Sequence, residues 1–129
     1  DIFEIQTLDD DRFLLRNIRR RIMERSEYFM ELLDKLIQPE NNYVTLIEFK
    51  FFEHEDKNIV FEVYRKFKIL EKKSLIASIT TNGKENVEFI CYAFDMWHEV
   101  KDNLLKLAKT LEKGWHSHPT LSEDTDYLG

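Results

Sequence analysis

Two histidines one residue apart, His116 and His118, come nearest to metal chemistry in this sequence. On a strand, residues i and i+2 share a face, so both imidazoles would reach one ion. Glu123, Asp124 and Asp126 lie close by in sequence and would add oxygen donors. The preferred reading is a surface strand that carries two histidines and needs no cofactor. The alternative is a metal-dependent hydrolase using His116 and His118.

A second constellation is cationic. Arg12, Arg16, Arg19, Arg20, Arg21 and Arg25 all fall within one stretch. Arg12, Arg16, Arg19 and Arg20 recur at helical spacing and so lie near one another. Such a patch suits the phosphates of RNA or an acidic protein surface. The plainer reading is a solvated face balanced by Glu24, Glu27 and Glu31. The chain as a whole has a net charge of -6. That argues against general nucleic-acid affinity, which phosphate neutralisation drives.

Other chemistry is thinly represented. Cys91 sits between Ile90 and Tyr92 in an apolar run, where a thiol is ordinarily inert. A single cysteine excludes an internal disulfide and fits a reducing, cytoplasmic setting. Three glycines and no Gly-rich loop leave no phosphate cradle. His54 and His98 stand alone, and Trp97 and Trp115 are expected to pack into the core. The 129 residues are 43% hydrophobic, which suits one folded domain over residues 1–129. No apolar run is long enough for a membrane span, and the first residues lack a signal-peptide layout.

Several elements would position these groups. Leu15, Ile18, Ile22, Phe29, Leu33 and Leu36 predict a helix over about 10–37, capped by Asp9-Asp10-Asp11 and stopped by Pro39. Residues 43–52 alternate Ile47, Phe49 and Phe51 against Glu48 and Lys50, which predicts a strand. Residues 59–72 fit a strand through Ile59, Phe61, Val63, Phe67 and Ile69. They also fit a helical stripe through Val60, Val63, Tyr64, Phe67 and Leu70. Their β-branched and aromatic content favours the strand. Strands over 75–80 and 87–94 would be joined by the hairpin signal Asn82-Gly83. A second helix would begin after Asp95, bury Trp97, Val100, Leu104, Leu107, Ala108 and Leu111, and end at Gly114. The tail from Trp115 would start as a strand.

The run Ser74-Leu75-Ile76-Ala77-Ser78-Ile79-Thr80-Thr81-Asn82-Gly83, then Glu88-Phe89-Ile90-Cys91-Tyr92, resembles an uncharacterised bacterial family grouped with regulator of ribonuclease E activity B. Asp124-Thr125-Asp126-Tyr127 resembles that family's closing element. The likeness covers residues 74–127, under half the chain. It implies a ferredoxin-like βαββαβ sandwich, with residues 59–72 helical, and a protein that acts by binding another protein. It carries no catalytic residues. Separately, Trp115-His116-Ser117-His118-Pro119 resembles part of the metal site of JAMM-type zinc proteases. There Ser122 and Asp126 follow His118 too closely for that pattern.

The expectation is thus an α+β protein: a ferredoxin-like sandwich with an extra long N-terminal helix, or a four-stranded antiparallel meander flanked by helices. Helix content would lie between one third and one half of the chain. Its expected role is non-enzymatic, as an inhibitor- or immunity-like domain that binds another protein. Nucleic acid and membrane are not expected partners. An exposed edge on the last strand would allow a homodimer.

Overall fold

The structure, a computed structural model, describes residues 2–39 and 42–119, with side chains from residue 12 onward. Helices take up 92% of the described residues, and no strand occurs among them. Both forms of the α+β expectation are overturned, and so is the sandwich implied by the family resemblance. The sheet edge on which a homodimer was expected is absent from the described residues as well.

Helix α1 spans Ile2–Ile37. It runs through the three aspartates that were expected to cap it, and it ends just before Gln38 and Pro39. Helix α2, Tyr43–Phe51, occupies the first expected strand. The Asn42 side chain accepts a hydrogen bond from the Val44 amide at 2.8 Å. The Asn42 carbonyl accepts from the Leu46 amide at 3.0 Å, which closes the first turn. A good cap therefore starts a helix here against the β-preference of the residues that follow. On the helix, Ile47 and Phe51 lie one turn apart, so the aromatic run still has an inward side.

Helix α3 spans His54–Thr80 and takes in the expected strands at 59–72 and 75–80. Its buried residues are Val60, Val63, Phe67, Leu70 and Ala77. That is the helical stripe, spaced by threes and fours from Val60 to Leu70 and by seven to Ala77. Phe61, which the strand pattern placed inward, is 59% exposed. Helix α4 spans Gly83–Ser117 and fuses the expected strand at 87–94, the expected helix and the start of the tail. Asn86, Phe89, Ala93, Met96, Val100 and Leu107 are its buried residues. Asn86, Ala93, Val100 and Leu107 recur every seven residues, and a sustained seven-residue repeat is the seam of a helical bundle.

The Asn82-Gly83 pair does reverse the chain, but between helices. Asn82 caps α4, its side chain accepting from the Glu85 amide at 2.9 Å. Gly114 lies inside α4 and does not end it. The Phe51 ring packs so tightly on the Gly114 backbone that an added Cβ would overlap it.

Helices α1, α3 and α4 pack on one another in pairs. Phe29 stacks on Phe67 while Arg19 bonds to Ser74, so α1 and α3 are antiparallel. Arg19 also bonds to Asn86 and Phe29 packs on Trp97, so α1 and α4 are parallel. The result is an up-down-up bundle, with α3 spanning about 40 Å at 1.5 Å per residue. Helix α2 braces one end, where the Trp115 indole N–H donates to Glu48 at 3.0 Å. Phe67, Phe89, Leu33 and Leu70 are fully buried at its centre. Burial of each such side chain contributes about 1.5–3 kcal/mol. Among the described residues no helix is long and apolar enough to cross a membrane.

Candidate functional site

The four arginines singled out by helical spacing line one groove. Arg12, Arg16, Arg19 and Arg20 project from α1 toward Ala77, Ser78 and Thr81 at the end of α3 and Asn86 at the start of α4. The groove encloses about 640 Å³. Its position follows from the turn between α3 and α4, since Gly83 lies beside Leu15 of α1.

Arg19 differs from its neighbours. It is only 9% exposed. Its Nε donates to Asn86 Oδ1 at 2.8 Å. Its Nη1 donates to the Ser74 carbonyl at 3.0 Å and the Ser74 hydroxyl at 3.1 Å. One guanidinium thereby ties all three long helices together. Asn86 is held in turn, its amide donating to the Asn82 carbonyl at 3.2 Å. Burial, and then the charges of Arg20 and Arg16, pull the Arg19 pKa below the ordinary arginine value. No buried side-chain nitrogen lacks a partner among the described residues. The remaining Arg19 nitrogen, Nη2, is therefore reached by solvent.

Arg12, Arg16 and Arg20 are exposed around this anchor. The ion pairs among the described residues join Arg65 to Glu62, Lys66 to Glu99, and Lys68 and Lys72 to Glu71. None involves the groove arginines, and Glu24, Glu27 and Glu31 form no ion pair with them, although Glu24 shares a surface depression with Arg20. The Arg16 guanidinium lies 5.9 Å from the centre of the Phe13 ring. Guanidinium forks match carboxylate and phosphate oxygens in pairs, so the groove carries side chains whose chemistry suits an anion.

His116 and His118 lie at the C-terminal end of α4 instead of on a strand. Residues i and i+2 of a helix do not share a face, so the reason for expecting a joint ligand pair is gone. The His118 ring packs edge-on against Phe51 and Trp115, with centroids 6.0 and 5.4 Å away. Among the described residues no group of three or more histidine, cysteine or acidic side chains is placed to hold a metal ion. Glu123, Asp124 and Asp126 lie outside the described residues.

Cys91 is exposed on α4, not enclosed in an apolar strand. Trp97 and Trp115 are each 38% exposed, so neither is fully a core residue. Trp97 borders an apolar cleft between α1 and α4 that the sequence reading missed. Its signal was the helical spacing of Tyr28 with Arg25 and of Phe94 with Trp97, which a strand over 87–94 conceals.

No protein-family model, curated protein or solved structure matches the chain.

Proposed function

We propose that this chain is a non-enzymatic, cytoplasmic protein-binding domain that modulates a partner by gripping an acidic segment of it in the arginine groove. The observation that carries this reading is the set of three exposed guanidinium groups, which make no ion pair among the described residues, around a fourth fixed by hydrogen bonds. The fixed Arg19 supports the groove wall, and Arg12, Arg16 and Arg20 supply the charge. An inhibitor or immunity protein would use such a groove to select its target, since complementary charge speeds encounter and sets register.

The charge balance favours an acidic peptide over RNA. Beyond the groove the chain is acidic, with 25 acidic against 19 basic residues. A long polyphosphate would be repelled where it left the groove, whereas a short carboxylate-rich segment fits within it. The test is fluorescence anisotropy with a short labelled Glu/Asp-rich peptide and an RNA oligomer of equal charge. The expected result is salt-sensitive peptide binding that R12E/R16E/R20E abolishes. Tighter binding of the RNA, or peptide binding that survives the triple reversal, would overturn the reading.

A further inference from the structure

The seam between α1 and α4 is open over part of its length. Ser26 on α1 and Ala93 on α4 are both small and buried, and a cleft of about 600 Å³ lies beside them. That volume falls within the range of about 300–1,000 Å³ seen for small-molecule sites. Phe67 and Leu70 of α3, 2% and 1% exposed, lie at its floor. Its rim is aromatic. Tyr28, Phe94 and Trp97 remain 68%, 61% and 38% exposed. Phe29 holds the wall in place, with its ring 5.8 Å from both Phe67 and Trp97. The cleft therefore has a shaped apolar interior before any ligand arrives.

One charged residue, Arg25, lines this cleft. It is exposed and makes no ion pair among the described residues. Its helical neighbours at i±3 and i±4 are Arg21, Ile22, Tyr28 and Phe29, so α1 offers it no carboxylate. The seam is closed on one side by the Arg19–Asn86 hydrogen bond and on the other by Leu33 and Val100, each 1% exposed. A partner helix needs a groove several turns long, whereas the α1 residues that line this cleft, Ile22 to Phe29, cover only about two turns.

We infer that the cleft binds one molecule of a small anionic amphiphile. Its aliphatic or aromatic body lies against Phe67 and Leu70 between the aromatic rims, and its carboxylate pairs with Arg25. The site is separate from the arginine groove and does not depend on the function proposed for it. Apolar burial supplies affinity, and the single guanidinium selects an anionic head over a neutral or cationic one.

The experiment is titration calorimetry of the intact chain with laurate, lauryl alcohol and lauryl trimethylammonium, each below its micelle concentration. The expected result is one site for laurate, weaker binding of the alcohol and none of the ammonium. R25Q should weaken laurate by about tenfold, the value of one charge-assisted pair, and leave the alcohol unchanged. A93L should fill the cleft and remove both ligands while circular dichroism stays helical. Arg25 is exposed, so R25Q tests the inference even where A93L disturbs packing. Laurate binding that ignores R25Q, equal binding of the ammonium, or laurate binding that survives A93L in a folded protein would overturn it. So would a dimer, seen by sedimentation, that A93L dissociates and laurate does not, since the cleft would then belong to a second copy.

Discussion

Arg19 and Arg20 are adjacent in sequence and opposite in role. Arg19 enters the bundle and satisfies Asn86 and Ser74, while Arg20 stays exposed at the groove. Arg19→Ala would leave Asn86 Oδ1 and the Ser74 carbonyl without that donor inside the bundle. We expect it to lower unfolding free energy by about 2–3 kcal/mol in urea denaturation, because an abandoned buried polar group keeps its full desolvation cost. R12E/R16E/R20E should change stability by under about 0.5 kcal/mol in the same assay, as surface substitutions do. The pairing of these outcomes separates the anchor from the charges that meet the ligand. Helical spacing placed all four arginines on one side of α1. It carried no mark of which one was buried, because that depends on where α3 and α4 leave a gap.

At the scale of the element, the turn between α3 and α4 is the most informative segment. Thr81 ends α3 with φ at 53°, a left-handed conformation that a β-branched residue adopts only under strain. Its hydroxyl donates to the Thr80 carbonyl at 2.8 Å, which offsets part of that cost. Thr81→Gly should raise stability by about 1 kcal/mol, and Asn82→Ala should lower it by about 1 kcal/mol through loss of the cap. Thermal melts of the two variants moving in opposite directions would verify this, and Thr81→Gly moving downward would refute it. Asn-Gly served as a hairpin signal because both residues tolerate tight backbone turns. The same asparagine is an excellent helix cap, and local sequence does not choose between the two uses. Residues 43–52 were misjudged for a related reason. Their period of two is real, but a nine-residue helix braced by Trp115 also half-buries Ile47 and Phe51, one turn apart.

For the whole molecule, the long helices and the single short turn between α3 and α4 make an antiparallel bundle the economical way to bury one stripe per helix. Circular dichroism should show helix content well above one half of the chain. A value between one third and one half would contradict the all-helical architecture. Much of the bundle was written in the stripe Val60, Val63, Phe67 and Leu70 and in the continuation of the Val100–Leu107 stripe back to Phe89 and Ala93. Aromatic and β-branched content outweighed that periodicity in the sequence reading.

Residue pattern alone was enough to place α1 from about residue 10 to its end, though not its start at Ile2, together with part of the inward stripe of the second half of α4 and the shared face of the arginines. Those features rest on contacts between residues three and four apart, which the chain encodes locally. Long-range packing settled the rest. Residues 43–51, 59–72 and 87–94 have enough apolar side chains for either a strand or a helix, and burial against distant partners selects the helix. The burial of Arg19, the placement of the groove at the α3–α4 turn and the cleft beside Ser26 and Ala93 each join residues from separate helices. Such sites depend on how far apart the helices lie once packed, a distance that no single helix carries in its own sequence.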